Sequence, residues 1–191
     1  YDQAQTIPKN KFTKQYYTFV GWSTEKNGET VYHDGASINN LVNTNGTEVK
    51  LYAVWKQNTV DITVNDGVNP QYTITVGQGD VLPDSITVPR TGYTFEGWYT
   101  DKDFKNRFDG TMPDKDLTLY AKQTPVMSSY TVYHYKESVD GFDLFEEEVL
   151  SGLTESEVTP QPKQYEGFTS PEAKTGQING WGGPDIQYYY M

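Results

Sequence analysis

The hexapeptide YTFVGW at Tyr17–Trp22 returns as YTFEGW at Tyr93–Trp98 with one letter changed. A duplicated ring-rich block restricts the chain to a serial build of like units, because each copy must supply its own small core. The frames around the two copies also match. Ile7-Pro8 corresponds to Leu82-Pro83 and Phe12-Thr13 to Ile86-Thr87, and the copies close on LYAVWK (Leu51–Lys56) and LYAKQ (Leu119–Gln123). The first copy is longer between its two signatures. Its extra residues fall in VYHDGASINNLVNTNGTEV, whose Asn, Gly and Thr content reads as loop. The second copy has an opening section, Thr59 to Asp80, where Val60, Ile62 and Val64, then Tyr72, Ile74 and Val76, alternate with polar residues around Asn-Asp-Gly. That pattern predicts two strands and a turn. At Tyr1 there is no room for the first of these strands, so copy one is expected to open one strand in.

The remainder differs. In YTVYHYK (Tyr130–Lys136) Tyr130 and Val132 alternate as in a strand, Asp140-Gly141 offers a turn, and FDLFEEEVL continues as an extended or partly helical run. YEGF (Tyr165–Phe168) faintly echoes the hexapeptide, and DIQYYYM predicts a terminal strand. Links near Gln57-Asn58 and Thr124-Pro125 divide the chain into expected modules of residues 1–57, 58–124 and 125–191. Apolar periodicity of the helical kind is scarce. A short turn of helix is expected at most once per module, with candidates in ASINNLV near Ile38 and Leu41 and in LTESEV behind a capping-like Thr154. The expected class is mostly β, α+β at most, as small modules in series in an elongated array.

The hexapeptide poses a parity problem. In a regular strand Tyr17, Phe19 and Gly21 share one face, and Trp22 falls with Thr18 and Val20 on the other. In copy two that second face carries Thr94 and Glu96, which belong in water. A glycine permits a bulge that turns the next side chain over. Gly21 and Gly97 are therefore expected to aim Trp22 and Trp98 into the core, beside Tyr17/Phe19 and Tyr93/Phe95. A carbohydrate-stacking platform is the functional alternative. In LYA, Leu119 and Ala121 should point one way and Tyr120 the other, in a closing strand paired with the module's first strand.

Aromatic residues make up 15% of the chain although hydrophobic residues are only 35%. Large rings can build small cores where aliphatics are few, and such a composition argues against disorder. The net charge of −11, with its densest run at Glu146–Glu148 and no basic stripe, argues against nucleic acid or anionic membrane as partner. With no cysteine there are no disulfides, thiolate sites or cysteine nucleophiles. No apolar run is long enough for a transmembrane helix.

The search for chemistry yields little. His33 and His134 stand in no ligand-spaced motif and read as surface residues of a strand or loop. Asp101 and Asp103 have the spacing of a calcium loop, but Lys105 would sit among the oxygen ligands; Met112–Asp116 is a weaker version. Glu146 and Glu148 share one side of a strand with nothing to mark an acid–base pair. GWGGP (Gly180–Pro184) is a Gly-rich turn without the lysine or helix of a phosphate site. No catalytic, cofactor-binding or metal residue is named on these grounds, and the chain reads as non-enzymatic.

The ordered blocks YTFVGW, DGASINNL and LYAVWK, then GYTFEGWYTDKD and TLYAKQ, resemble the Listeria–Bacteroides repeat, the internalin-type B-repeat, over about residues 1–123. Lys122-Gln123 replaces the usual final Trp. Residues 126–191, with YTVYHYKE, YEGF, QING and IQYYY, are similar to mucin-binding-protein-like repeats, with an elongated connection around Asp140-Gly141. The resemblance implies β-grasp-like modules, each a small sheet curled about a short helix, in tandem in wall-attached or secreted proteins of mostly Gram-positive bacteria. It also implies an extracellular location, no cofactor, and a stalk or spacer role with neighbouring modules as partners. Two alternatives stand beside it: an adhesin module that binds host glycan or surface protein, with Tyr188–Tyr190 as its best candidate, and an accessory region of a large secreted enzyme.

Overall fold

The computed structural model describes residues 4–39 and 47–191. Among them the strands are β1 (Gln5–Thr6), β2 (Tyr17–Ser23), β3 (Ser37–Ile38), β4 (Tyr52–Gln57), β5 (Thr59–Asn65), β6 (Tyr72–Gly77), β7 (Tyr93–Tyr99), β8 (Leu117–Pro125), β9 (Met127–Ser138), β10 (Gly141–Leu153), β11 (Glu157–Val158), β12 (Gly176–Gln177) and β13 (Ile186–Tyr190). The protein is mostly β, in several small sheets, with no helix among the described residues. Of the two stretches expected to turn into helix, Ser37–Ile38 is strand, and Leu41 lies outside the described residues. Thr154 caps no helix. Its N–H and Oγ1 both donate to the Val126 carbonyl at 2.9 Å, and the left-handed Glu155 behind it (φ 67°) turns the chain away.

Two compact units form. The first comprises Tyr1–Asn65, Pro70–Asp84 and Phe108–Leu119; the second comprises Asp66–Asn69, Ser85–Arg107 and Tyr120–Met191. In the first unit β2 pairs antiparallel with β4, β1 with β3, and β5 with β6. Alternation along β5 places Val60, Ile62 and Val64 on the buried face with Asp61 and Thr59 outside, as a period of two requires. Ile7, Trp22, Met112 and Leu119 are the other buried apolar residues of this unit. Leu119 and Ala121 are buried while Tyr120 between them is half-exposed, the parity expected of LYA.

In the second unit β7 pairs antiparallel with Tyr120–Pro125 of β8. A three-stranded sheet has β9 at its centre, antiparallel to β10 and parallel to β13. FDLFEEEVL is wholly extended within β10. The inner face of this sheet carries Tyr130 and Val132 of β9 and Ile186, Tyr188 and Tyr190 of β13, joined by Ile178. His134 belongs to this face as well and is fully buried, so it is not the surface histidine its spacing suggested. It stands in phase with Tyr130 and Val132, and strand parity takes it inward. In the terminal YYY, offered as an adhesive patch, Tyr188 and Tyr190 are core and only Tyr189 faces outward.

Candidate functional site: ring hubs and two matching joints

Both hexapeptides bulge at the glycine. Phe19 opposes Trp55 and Gly21 opposes Val54, so Val20 is the extra residue; Phe95 opposes Gln123 and Gly97 opposes Lys122, which leaves Glu96 out. Gly21 and Gly97 adopt φ of 156° and 138°, and each following indole is only 8% exposed. The parity problem is resolved as expected. Phe19 meets Trp22 edge-on at 5.1 Å and Phe95 meets Trp98 at 5.5 Å. Gly21 is also sterically required, since a Cβ there would lie 2.5 Å from the Tyr32 carbonyl oxygen, where the chain returns to pair with Trp22. The tyrosines do not join these hubs as expected. The Lys14 Nζ sits 3.6 Å over the Tyr17 ring and the Arg90 guanidinium 3.6 Å over Tyr93. Trp22 forms one wall of an open apolar groove of about 380 Å³ with Ile7, Phe12 and Leu51.

Those two cation–ring pairs mark the start of a larger identity. In the first unit the Tyr17 N–H donates to Lys14 O, left-handed Tyr16 (φ 65°) follows that turn, and its carbonyl accepts the Asn58 N–H at 2.8 Å. Asn58 O in turn accepts the Gln78 N–H. The Gly79 N–H (φ 78°) donates to Met112 O, and the Met112 N–H to Asp80 O. In the second unit the same circuit recurs bond for bond. The Tyr93 N–H donates to Arg90 O, left-handed Gly92 (φ 82°) accepts Val126 N–H at 2.9 Å, and Val126 O accepts Thr154 N–H. The Glu155 N–H (φ 67°) donates to Ile178 O, and the Ile178 N–H to Ser156 O. Met112 and Ile178, the apolar residues under each circuit, are both buried. The first circuit sits at the Gln57-Asn58 link read from sequence, and the second, at Val126, just past the Thr124-Pro125 link.

Side chains then lock each circuit differently. In the first, Gly79 lies against the Tyr16 ring, the Gln57 amide donates to Gln78 O and Asp80 Oδ1, and Thr18 Oγ1 donates to Asn58 Oδ1. In the second, Gly180 approaches the Thr91 carbonyl so closely that a Cβ would sit 2.0 Å from its oxygen. Arg90 pairs with Glu155 at 2.5 Å, and the Glu155 carboxylate is held below its ordinary pKa by its hydrogen bond with Tyr93, aided by Arg90.

A buried polar cluster lies in the second unit beneath β9. His134 Nδ1 is 2.8 Å from Tyr190 Oη, which accepts the Lys163 N–H. The hydroxyl proton of Tyr190 is thus left to donate to Nδ1, which puts the ring proton on Nε2, 3.9 Å from Glu148 Oε2 and without a hydrogen-bond partner. Burial, then the nearby Lys163 charge, lowers the imidazole pKa and keeps the ring neutral. Lys163 Nζ and Tyr165 Oη both donate to Glu146 at 2.6 Å, which holds that carboxyl below its usual range. Burial and Glu146 push the Tyr165 phenol up.

The remaining sequence candidates have local roles. Glu146 and Glu148 both turn to Lys163, at 2.6 and 3.8 Å, and Glu146 is held below its usual range rather than in the raised-pKa setting of a general acid. The Asp101 carboxylate accepts the N–H groups of Asp103, Lys105 and Asn106 and closes its own turn. Asp116 accepts the Asp61 N–H, while Asp114 offers its carbonyl to Gln78. His33 is exposed. Among the described residues no three His, Cys, Asp or Glu side chains gather as a metal site. Of the joint residues, Asn58 was marked only as part of a link, and Tyr16, Gln78 and Gly79 were missed from sequence. Their one readable signal was the matched cation three residues ahead of each hexapeptide, Lys14 and Arg90.

The family model of the Listeria-Bacteroides repeat domain matches residues 1–54 and 59–122, more than half of the chain. The chain belongs to this family. A protein of Evansella cellulosilytica described as a Gly-rich membrane protein is 27% identical over 173 residues, covering 88% of the chain. Internalin H of Listeria monocytogenes is 31% identical over 116 residues, 59% of the chain. The chain spans only 19% and 20% of the lengths of these two relatives. Among solved structures, the type 2 repeat of the mucus binding protein MUB from Lactobacillus reuteri aligns with 70% of the chain and 98% of its own length, at 11% identity and a TM-score of 0.24. The two family matches each contain one bulged hexapeptide, and the break between them falls at the first joint.

Proposed function

We propose that this chain is a non-catalytic tandem repeat region of an extracellular bacterial protein, cell-wall attached or secreted, that acts as a stalk or spacer. Its modules are residues 1–57, 58–124 and 125–191. The observation that carries the reading is the recurrence of one hydrogen-bond circuit at both links. A connection that fixes the αL turn, the linker carbonyl and the next hairpin in the same way twice is what a chain of serial units needs to hold a constant step. Membership of a repeat family with an internalin among its relatives supports the setting. Small-angle X-ray scattering tests it. A spacer gives a radius of gyration well above the about 16 Å of a compact globule of this length; a value near 16 Å overturns it.

A weak adhesive role is the second reading, supported by the outer face of the β9–β10–β13 sheet. There the Tyr135 and Tyr189 rings stack at 5.0 Å, Phe142 meets Tyr189 edge-on at 5.1 Å, and Tyr189 and Phe142 remain exposed. Flat rings of this kind suit sugar faces or a protein partner. A glycan array with the intact chain and with Tyr189→Ala distinguishes the readings: binding lost in the variant supports adhesion, and no binding by the intact chain leaves the spacer.

A further inference from the structure

The sheets built on β5 and on β9 follow the same alternation and present opposite surfaces. Outward along β5 stand Asp61 and Thr63, with Thr75 and Thr73 across from them on β6. Such a face belongs in water. Outward along β9 stand Thr131, Tyr133 and Tyr135. Val149 and Leu144 of β10 lie opposite Thr131 and Tyr135, and both are exposed. Tyr189 lies beside Tyr135 on β13. The fold does not require an apolar outer face, so this one marks an interaction surface. Two carboxylates are set into it, each directly across from a ring. Glu147 pairs in register with Tyr133, and Glu137 with Phe142. Both acids are exposed, and among the described residues neither has an ion-pair partner. The Tyr135–Tyr189 stack fills the row between them. No lysine or arginine is among the outward residues of the three strands. Lys174 reaches β13 from a loop, and its ammonium is already engaged by the Gln187 carbonyl, 5.7 Å from the Tyr189 ring centre.

We propose that the outer face of the β9–β10–β13 sheet docks an extended, arginine-bearing segment of a protein partner. The inference rests on the adhesive reading above and names its partner. Charge complementarity selects the occupant. A guanidinium lays its flat face on a ring and turns its N–H edge to a carboxylate, so each ring–carboxylate pair is a seat for one arginine. Cross-strand neighbours lie about 5 Å apart, close enough for one side chain to touch both. The seats are set by Tyr133 and Glu137, four residues apart on β9, which is about 13 Å at the rise of a strand. Arginines at the first and fifth positions of an extended segment span that distance. The side chain midway between them points the same way and meets the Tyr135–Tyr189 rings. A neutral sugar would use the rings and leave both carboxylates without a counter-charge, and an acidic sugar would be repelled.

The test titrates the full chain into a fluorescein-labelled peptide, arginine-threonine-leucine-threonine-arginine flanked by glycines, and reads polarisation. Binding is expected to weaken about tenfold in Tyr189→Ala, and by as much when Glu137→Gln and Glu147→Gln are combined. Tyr189→Phe, which keeps the ring, should bind as the intact chain does. The glutamine pair lies on exposed side chains, so it carries the test even if Tyr189→Ala disturbs folding. Lysine in place of both arginines should cost about threefold or more. A peptide of the same composition with its arginines adjacent should bind about tenfold more weakly, since it fills one seat. Equal binding of that peptide overturns the proposal, because it would report general attraction to a chain of net charge −11. So does binding unchanged by the glutamine pair, or no binding at about 1 mM peptide. The glycan array keeps the two readings apart. Sugar binding that is lost in Tyr189→Ala, with no peptide binding, upholds adhesion and overturns the arginine-bearing partner. No binding of either kind overturns both.

Discussion

The joint around Asn58 and the joint around Val126 share a backbone and differ in everything that locks it. The first is padded: a glycine with φ of 78° lies on the flat face of Tyr16, and the surrounding contacts are side-chain amides and hydroxyls. The second is clamped backbone to backbone, with Gly180 against Thr91 and Gly92, and an ion pair at its rim. The circuit of main-chain bonds is thus the invariant. Side chains around it can change provided that one partner is thin enough to let the chains approach. A soft pad and a hard contact also respond differently to added volume, and that contrast can be tested.

The largest effect is expected at the hard contact. Gly180→Ala places a methyl on the Thr91 carbonyl, which cannot swing aside, so the contact opens at a cost of about 3 kcal/mol. Gly79→Ala meets a ring that can tilt and mainly adds left-handed strain, about 1–2 kcal/mol. Urea titration of both variants checks the order; equal losses would show the two joints to be alike in stiffness.

Next comes the network beneath β9, which has no counterpart among the described residues of the first unit. Tyr190→Phe keeps the ring packing but strips both His134 Nδ1 and the Lys163 N–H of their partner, at about 1–3 kcal/mol. The same urea midpoints measure it, and a neutral result would mean that water reaches both groups.

The third expectation separates the units by pH. Folding lowers the His134 pKa below its ordinary 6.5. Below about pH 6.5 the unfolded chain takes up a proton that the folded chain refuses, so this contribution is complete above that pH and declines as pH falls through the window beneath it. Glu146, whose folded pKa is also depressed, adds a loss of the same direction only below about pH 4.5. Hydrogen exchange between about pH 7 and about pH 5 should show β9 amides losing protection while β5 amides, near no buried histidine, keep theirs. His134→Gln should remove the difference. The smallest effect is expected at Glu155→Gln, a half-exposed pair at the joint rim: a slight drop in the urea midpoint that shrinks further in high salt.

The bulged hexapeptides were legible because the evidence is local: a glycine one residue before a tryptophan, in a frame whose other face is polar, allows few solutions. The alternation of Val60, Ile62 and Val64 was legible for the same reason. His134 and the pair Tyr188 and Tyr190 were not. A residue type that suits either face of a strand says nothing about which face is covered, and that depends on β13 returning parallel to β9 from far along the chain. The joints were the least visible, since a hydrogen bond between main-chain groups leaves almost no trace in side-chain identity. The links at Gln57-Asn58 and Thr124-Pro125 could be placed, but of the circuits themselves only Lys14 and Arg90 carried a sign.

By itself the sequence determined a mostly β chain, two copies of one repeat, and the inward turn of Trp22 and Trp98, because period, glycine and ring size act over a few neighbouring residues. The tertiary structure alone decided the matching circuits at Asn58 and Val126, and the burial of His134. Each of those depends on which distant backbone arrives alongside, and no local pattern encodes that.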